Sequence, residues 1–404
     1  MKKKFISKLL VLTSGLIVIP TIVTACGTND ENHYVFALST TANQGDFNKF
    51  ANDVQQTFNT LKTQEAYSQY SDLADITISV NNIDDNDAKR DLVENGSVSF
   101  AFLTSKTLTK NNFYQQVNSK IQTLTTAFTF DTDMSKSYVN GLDPNDDQET
   151  NKDGNIDPLR EIANNMQKAS FGENYQYPFN TWKDAQGVAP NYNWNGIRYN
   201  AFYSKDQFIS GYRGMIFLTG TYKKINQAIK SWDDKNWENF RNLGIMVGKD
   251  NSSGNYLLQE QLIKNHFTSL GNNWTIAEDR KSHQDKYDTD SYGTSKTNNE
   301  NFTIHFSDEA SFAWTHYDGT TTDYSTISDG KIKILTVTNH ALYDVGVFSK
   351  NIDTKVAELL SESMIYLYNN KNNLYGQGLG YDGYQKINNI ETEIINPMKL
   401  ALGM

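Results

Sequence analysis

The chain has 404 residues, a formal net charge of −10 and a single cysteine. The acidity argues against nucleic acid as a partner, because binding to a phosphate backbone requires a basic surface. One cysteine cannot form a disulfide within the chain, so the folded part must be stabilised by its hydrophobic core. The length is sufficient for two lobes, since single cores stop growing at about 250–300 residues.

Residues 1–25 have the organisation of a lipoprotein signal peptide. Lysines at positions 2–4 precede an apolar run at residues 5–23, and small residues lie directly before Cys26. This pattern predicts cleavage before Cys26 and lipid on its sulfur, and a diacylated cysteine anchors a protein stably. A plain transmembrane anchor is the alternative, but the apolar run is short and interrupted by polar residues, which favours lipidation.

Residues 26–33 are predicted to be a polar tether between the lipid and the first folded element. After the signal, no apolar segment of the sequence is long enough to span a bilayer. We therefore expect the folded part to lie on the extracellular face of the cell membrane, held there by its lipid anchor.

The folded part begins with alternating strand and helix patterns. Strands are predicted at residues 34–39, 76–80 and 98–103, and helices at residues 47–61 and 84–95. This order predicts a parallel α/β sheet with right-handed crossovers. Ligands of such sheets bind beyond the carboxyl ends of the strands. The polar residues that follow two of these strands are therefore candidate ligand contacts: Ser39, Thr40, Thr104 and Ser105.

An acidic, asparagine-rich loop at residues 143–157 resembles the front half of a calcium loop. Its oxygen-bearing side chains would be those of Asn151, Asp153 and Asp157. The glutamate that should close the loop is missing, because Arg160 stands at its position. A solvated loop is therefore the favoured interpretation, and calcium is the weaker one.

The second half of the chain returns to regular patterns. The segment at residues 279–301 is polar and is predicted to be an exposed insertion. The apolar patterns on either side of it predict four strands, at residues 212–218, 243–247, 332–337 and 345–348, and three helices, at residues 224–232, 256–267 and 355–368.

The most informative segment joins a predicted strand to a helix at residues 248–258. Small and polar residues occupy the start of that helix: Asn251, Ser252, Ser253, Gly254 and Asn255. The first turn of a helix has unpaired backbone N–H groups and a positive dipole end, so it can bind an anion. The alternative is simple N-capping by Ser252 or Ser253, which requires no ligand.

The order of motifs from Tyr212 to Phe267 resembles the phosphonate-type branch of ABC-transporter substrate-binding proteins. In that branch a Tyr-Arg-Ser strand precedes a Ser-Thr-Ser-Gly-Tyr-Leu-Leu loop. Here Gly254 replaces the third hydroxyl residue, Asn255 replaces the glycine, and Gly214 stands where the branch often has serine. These departures argue against phosphonate itself as the ligand and leave the binding fold intact.

A closer resemblance covers most of the mature chain. Its matching blocks lie at residues 212–216, 239–245, 248–252, 264–267, 311–316, 343–348 and 379–384. In these blocks the sequence resembles the extracytoplasmic thiamine-binding lipoproteins of mycoplasmas. The resemblance implies a two-lobed α/β fold of the type II periplasmic-binding-protein class, with thiamine or thiamine diphosphate as ligand. A tethered receptor of this kind implies an ABC permease and an ATPase as partners.

The chemistry of this ligand class selects further candidate contacts. Flat rings pack on aromatic faces, which Tyr212, Trp314, Tyr343 and Tyr381 offer. A cationic ring favours a carboxylate, for which Asp344 is the candidate. Ordinary core packing is the alternative for the aromatic residues, and a role in a turn is the alternative for Asp344.

An anionic tail would require hydrogen-bond donors. The helix start at residues 251–255 and the hydroxyls of Thr104 and Ser105 could supply them, together with Arg213. Arg213 has a structural alternative, as a hub of hydrogen bonds within the protein. His316 is added because its sequence block borders the predicted cleft.

The two lobes are predicted to comprise residues 34–224 with 336–404, and residues 225–335. Mixed, parallel-rich sheets joined by a double-crossover hinge would close over the ligand. An alternative hypothesis keeps the same architecture and makes the protein a receptor for phosphonate or another phosphorylated small molecule.

The sequence contains no hydrolase motif of the Gly-x-Ser-x-Gly or His-Glu-x-x-His type, and its six histidines have no metal-ligand spacing. We therefore expect a monomeric binding protein without catalytic residues, metal or cofactor. Two other classes stay open. One is a glycoside hydrolase whose two carboxylates meet only in space. The other is a surface adhesin or immune-facing lipoprotein that uses the segment at residues 279–301 and aromatic patches.

Overall fold

The structure is a computed structural model that describes residues 32–40, 46–138, 157–171, 202–289, 300–309, 311, 330–370, 372 and 374–404. Five residues named above lie outside the described residues: Cys26, Asn151, Asp153, Trp314 and His316. In the part of the chain that is described, no helix is long and apolar enough to cross a membrane.

The described residues form two sheets, the first of which has seven strands in the order β12-β4-β11-β3-β1-β2, with β5 paired to β4. The strands are β1 (His33–Leu38), β2 (Thr77–Asn82), β3 (Phe100–Leu103), β4 (Val117–Phe128), β5 (Tyr203–Ile209), β11 (Val345–Ser349) and β12 (Gly383–Lys386). β1 runs parallel to β2 and β3, and the other pairs are antiparallel.

The second sheet has five strands in the order β10-β6-β9-β7-β8. They are β6 (Gly211–Gly220), β7 (Ile245–Val247), β8 (Tyr287–Thr289), β9 (Ile304–Asp308) and β10 (Lys331–Leu342). β7 is parallel to β8 and β9, whereas β6 pairs antiparallel with β9 and β10. Both sheets are therefore mixed.

Helices cover both faces of each sheet. They are α1 (Asp46–Leu61), α2 (Asn86–Glu94), α3 (Ser105–Thr109), α4 (Pro158–Phe171), α5 (Tyr222–Asp233), α6 (Trp237–Arg241), α7 (Leu258–His266), α8 (Ile276–Ser282), α9 (Thr354–Asn369), α10 (Leu374–Leu379) and α11 (Asn396–Leu402). In the first sheet, α1 and α9 pack on one face, and α2, α3 and α11 on the other. In the second, α4 opposes α5, α6 and α7. Burial on both faces explains why the strands are so continuously apolar.

Residues 279–289 and 300–301 of the predicted exposed insertion are described. Asp279 lies in α8 with its side chain 9% exposed, and it accepts a hydrogen bond from Arg241 at 3.1 Å and another from the hydroxyl of Tyr287 at 2.5 Å. β8 then forms the edge of the second sheet. The start of the segment is therefore part of the fold, because the charge of Asp279 is paired and pairing compensates for burial. For residues 290–299, which lie outside the described residues, the exposed insertion stays a prediction.

The chain passes between the sheets at Ser210, between β5 and β6, and returns at residues 343–344, between β10 and β11. The predicted lobe boundaries, after residues 224 and 335, fall at other positions, because β6 and the whole of β10 belong to the second sheet. The division into lobes stays a prediction, and membership in the two sheets marks the crossings that a hinge would use.

Candidate ligand-binding site

A cavity of about 420 Å³ opens where residues attached to the two sheets meet. The first sheet contributes the start of α2, the start of α3 and the turn between β10 and β11, and the second contributes the start of β6 and the loop after β7. The lining residues are Asp84, Asp85, Asn86, Asp87, Thr104, Ser105, Lys106, Thr107, Lys110, Tyr212, Asn251, Ser253, Ala341, Leu342, Tyr343, Asp344 and Met398. Two of the strand ends predicted from sequence, after β3 and β7, therefore meet at one cavity.

In the loop after β7, one serine caps a helix and the next serine lines the cavity. The Ser252 hydroxyl accepts a hydrogen bond from the backbone N–H of Asn255 at 3.3 Å, so it caps the helix start. Asn251 and Ser253 line the cavity, and the Ser253 side chain is hydrogen-bonded to the Tyr212 hydroxyl. The alternative weighed from sequence, N-capping, thus describes Ser252, while its two neighbours face the site.

The glycines that depart from the phosphonate-type pattern are required by close packing of this loop. A Cβ atom on Gly254 would lie 1.6 Å from Oδ1 of Asp308 and 3.1 Å from the Tyr212 ring. A Cβ atom on Gly214 would lie 2.5 Å from the amide nitrogen of Gln259. That amide donates to the backbone oxygens of Gly254 and Ser307 and so ties the loop to the second sheet.

Tyr212 and Tyr343 form an aromatic pair at the cavity, with ring centroids 5.5 Å apart and ring planes tilted by 34°. Tyr343 is hydrogen-bonded to the side chain of Thr125. Burial raises the pKa of both hydroxyls, so both remain neutral and can donate hydrogen bonds. The structure therefore brings these two predicted residues together.

Asp344 lines the cavity beside this pair. Burial raises the pKa of its carboxyl group, against the opposing influence of a hydrogen bond from Tyr381 and of the charge on Lys89. The Tyr381 hydroxyl donates to Asp344 Oδ2 at 2.6 Å, and its ring packs on Phe102 with centroids 5.5 Å apart. Tyr381 thus positions the carboxylate and does not itself line the cavity.

Ser39 and Thr40, which follow β1, lie behind the cavity wall and do not line the cavity. The buried ammonium group of Lys89 donates to the Ser39 hydroxyl at 2.7 Å. Thr40 donates to the carboxylate of Asp84 from its backbone N–H at 2.8 Å and from its hydroxyl at 3.1 Å. Ser39 and Thr40 therefore hold two charged groups in place, one of which, Asp84, lines the cavity.

The hydroxyls after β3 lie in the wall itself. Thr104 and Thr107 share a hydrogen bond between their hydroxyl oxygens at 2.9 Å. The Ser105 hydroxyl donates to the backbone oxygen of Leu342 at 2.5 Å and to the sulfur of Met398 at 3.2 Å. Met398 belongs to α11, so the last helix of the chain forms part of the cavity wall.

Arg213 is fully buried and is not among the cavity residues. Its guanidinium group donates to Asp131 at 2.6 Å and to the backbone oxygens of Thr338 and Lys136, each at 2.9 Å. Its own backbone N–H donates to Glu309 at 2.8 Å. This is the hydrogen-bond hub that sequence offered as the alternative to a ligand contact.

Of the calcium-loop candidates, only Asp157 is described. Its carboxylate accepts the backbone N–H groups of Leu159 at 2.8 Å and Arg160 at 3.1 Å, so it lies at the start of α4. Among the described residues, no group of three or more His, Cys, Asp or Glu side chains is arranged to hold a metal ion.

Sequence reasoning missed two cations at the cavity, Lys106 and Lys110. The Lys106 ammonium group donates to the backbone oxygen of Asn251 at 2.7 Å, which joins α3 to the loop of the other sheet. Burial and the nearby Lys110 lower the pKa of Lys106. The signal that could have found them is their position in the segment after β3, adjacent to the predicted Thr104 and Ser105.

Asp308, at the end of β9, was also missed. Its Oδ2 accepts a hydrogen bond from the Asn255 side chain at 3.3 Å. Burial raises its pKa to about 6. The strand that ends at Asp308 was not predicted, so no polar residue at its end was considered as a ligand contact.

Comparison with known proteins identifies the family. The sequence model of the family of extracytoplasmic thiamine-binding lipoproteins matches residues 48–403. The chain belongs to this family. The high affinity transport system protein p37 of Mesomycoplasma hyorhinis is 34% identical over 364 residues, which cover 88% of this chain and 83% of that protein. The p37 protein of Mycoplasma pneumoniae is 29% identical over 406 residues and covers 96% of both chains.

A solved structure agrees with the sequence relatives. Mh-p37 of Mycoplasma hyorhinis, described as a proposed thiamine pyrophosphate transporter, has a TM-score of 0.76 and 30% identity, and the match covers 92% of this chain and 98% of that chain. The predicted family and the mixed α/β class of binding-protein fold are thereby confirmed. The chain is an extracytoplasmic substrate-binding protein of a transporter, and its relatives are transport proteins, not enzymes.

Proposed function

We propose that the protein captures thiamine or thiamine diphosphate in the cavity between the two sheets and presents it to an ABC importer. Lipid on Cys26 would hold the receptor at the extracellular face of the membrane, close to the permease and its ATPase. The observation that carries the proposal is a single cavity lined by an aromatic pair, by carboxylates and by lysines. Thiamine diphosphate combines flat rings, a fixed positive charge and an anionic tail.

The aromatic pair and Asp344 suit the ring end of the ligand. The face of a tyrosine ring attracts a cation, and the ring also offers apolar area for a flat heterocycle. Asp344 adds a carboxylate on the first-sheet side of the same cavity. Trp314 and His316, which the family resemblance implies, stay predicted members of this end of the site.

Groups that suit the anionic tail of the ligand come from α3, the residue after it and the loop after β7. Lys106 and Lys110 are cations at the cavity, and Thr104 and Ser253 contribute hydroxyl groups. Charged donors form the stronger hydrogen bonds to phosphate oxygens. Because Lys106 also bonds to Asn251, a phosphate bound here would lie beside the contact that joins the two sides of the cavity.

Titration calorimetry on the lipid-free protein, without its signal peptide, tests this assignment. We expect Tyr212→Ala to weaken binding of thiamine diphosphate by about fivefold or more, because the ligand loses an aromatic face worth about 1 kcal/mol or more. Tyr222, on α5, is 61% exposed, so Tyr222→Ala is the matched control and should leave affinity unchanged.

Native mass spectrometry of the purified protein identifies the ligand independently. A co-purifying mass equal to that of thiamine or one of its phosphates supports the proposal. A co-purifying phosphonate or other phosphorylated compound would support the receptor function and contradict thiamine as its ligand. Equal affinity of wild type and Tyr212→Ala for thiamine diphosphate would remove the cavity as the site.

The adhesin alternative would require a contiguous apolar surface. The large apolar side chains that are clearly exposed among the described residues come from β5, α5, α9 and the C-terminal end: Phe208, Tyr222, Tyr366, Leu400 and Met404. Their distribution over separate elements gives no positive support to a host-binding face, so we do not propose that function.

A further inference from the structure

Asp308 is a partly buried carboxylate that has no cationic partner among the described residues. Its Oδ2 accepts one long hydrogen bond, at 3.3 Å, from the neutral side chain of Asn255. Its Oδ1 lies against Gly254, so close that a Cβ atom there would be 1.6 Å away. Among the described residues, the only side chain that compensates for the loss of water around this carboxylate is therefore the Asn255 amide.

Two other aspartates with largely buried side chains contact arginines of the second sheet and its helices. Asp131 receives the guanidinium group of Arg213 at 2.6 Å, and Asp279 receives that of Arg241 at 3.1 Å. A buried charge without a partner destabilises a fold, so proteins keep one mainly where a function requires it. Asp308 therefore differs from these two aspartates, because no cation among the described residues compensates for its charge.

The location of Asp308 connects it to the ligand site. Asp308 does not line the cavity, but a Cβ atom on Gly254 would lie 1.6 Å from its Oδ1 and 3.1 Å from the Tyr212 ring, so the carboxylate and the aromatic pair of the cavity pack against the same residue. The charge of Asp344 acts on the Tyr212 hydroxyl. One carboxylate from each sheet thus lies near the tyrosine pair, Asp308 from the second sheet and Asp344 from the first.

We propose that Asp308 is a specificity-determining residue that, together with Asp344, selects ligands with a positively charged heteroaromatic ring over neutral ligands of the same shape. A cation between the two carboxylates would also attract the two sheets toward each other. The inference rests on the proposed function for the existence of the site and adds the charge of the ligand that the site accepts.

A competing explanation is that Asp308 accepts a hydrogen bond from a neutral amino group of the ligand. Asp308→Asn separates the two explanations, because asparagine keeps an acceptor oxygen of nearly the same shape and loses the charge. The probes are thiamine diphosphate and its analogue with a reduced, uncharged sulfur ring, which carries the same pyrimidine and diphosphate groups.

Calorimetry with both probes gives a two-by-two comparison. For the wild type we expect at least tenfold tighter binding of the cationic probe. Asp308→Asn should abolish most of that preference by weakening the cationic probe tenfold or more and the neutral probe by less than about threefold. Asp234→Asn, an exposed aspartate of the same sheet's helices, is the matched control and should retain the wild-type preference.

The melting temperature of the ligand-free variant distinguishes this role from a structural one. Removal of an unpaired buried charge should raise the melting temperature of Asp308→Asn. A lowered melting temperature, or a failure to fold, would show that Asp308 holds the Gly254 loop and would overturn the proposal.

The same data separate failure of the inference from failure of the function. If the wild type binds both probes equally, or if Asp308→Asn keeps the preference, the charge-selection proposal is wrong and the receptor function stands. If the wild type binds neither probe, the proposed ligand itself is wrong.

Discussion

Two groups of buried charged residues lie close together in this fold, and they are built in opposite ways. Around Arg213, the charge of Asp131 is balanced by an ion pair at 2.6 Å. Burial and the neighbouring Asp131 raise the pKa of Glu309 well above its ordinary range, and burial with Arg213 lowers the pKa of His340 to about 2, so the charged form of each is disfavoured. In this first group, the Arg213 cluster, each charge is therefore either paired or disfavoured by its surroundings.

Asp308 and Asp344, the second group, have no ion pair among the described residues, although Lys89 acts on Asp344 from a distance. Asp308 and Glu309 are adjacent in sequence, yet one belongs to each group. The comparison teaches that burial alone does not mark a binding residue. Compensated charge builds the frame between β4, β6 and β10, and under the proposed function the uncompensated charge is where a ligand would supply the missing partner.

The substitution with the largest expected effect removes the ion pair of the Arg213 cluster. Arg213→Leu should lower the free energy of unfolding by about 3–5 kcal/mol, because Asp131 loses its partner and three acceptors lose a donor inside the protein. Urea denaturation monitored by circular dichroism measures this loss. Lys230→Gln, which removes an exposed ion pair with Asp234, is the control and should leave the transition almost unchanged. A stable Arg213→Leu variant would refute the hub.

A second substitution tests the close packing beside the uncompensated group. In Gly254→Ala the new methyl group would overlap Asp308 Oδ1, so the loop must move away from the second sheet. We expect a cost of about 1–3 kcal/mol, which corresponds to a loss of ligand affinity of roughly 5- to 150-fold. Calorimetry gives the affinity, and unchanged binding would mean that the loop has room that its contacts do not show.

The smallest expected effect is a dependence on pH. The pKa of Asp308 is raised from 3.8 to about 6, so the folded protein binds this proton more tightly than the unfolded chain. Between about pH 4 and pH 6, ionisation of Asp308 lowers the free energy of unfolding as pH rises, and the stability that the protonated form provides is lost above pH 6.

Ligand binding has the opposite sign, because a cationic ring requires the ionised carboxylate. We expect affinity for thiamine to fall about tenfold from pH 7.5 to pH 5. Thiamine is the better probe here because it carries no titrating phosphate. The pH dependence of affinity in Asp308→Asn reflects every other titrating group, including Asp344. The difference between the wild-type and variant pH profiles is therefore due to Asp308. Parallel profiles would contradict the assignment.

The sequence predicted the regular elements well for a physical reason. Strands such as β1, β3 and β6 are buried on both faces, so their composition is almost continuously apolar. β9 escaped prediction because it is short and follows a segment whose charges suggested a solvated insertion. Asp279 shows why composition is a poor guide at the start of that segment: its charge is paired inside the protein, and composition does not reveal pairing.

The site was harder to predict than the fold because its contacts join distant parts of the chain. Lys106 bonds to a residue 145 positions away, and Arg213 to one 82 positions away. Ser252 and Ser253 are equivalent in sequence, yet one caps a helix and the other faces the cavity. Residue type selected Tyr212, Tyr343 and Asp344 correctly as cavity residues, whereas Arg213 looked equally suitable and faces the other way.

The contact between Lys106 and position 251 uses a main-chain oxygen as its acceptor. Every amino acid has that oxygen, so the side chain at position 251 can change while the two sides of the cavity remain joined. Substitution at position 251 is therefore expected to alter the cavity lining while the contact that bridges the two sheets is preserved.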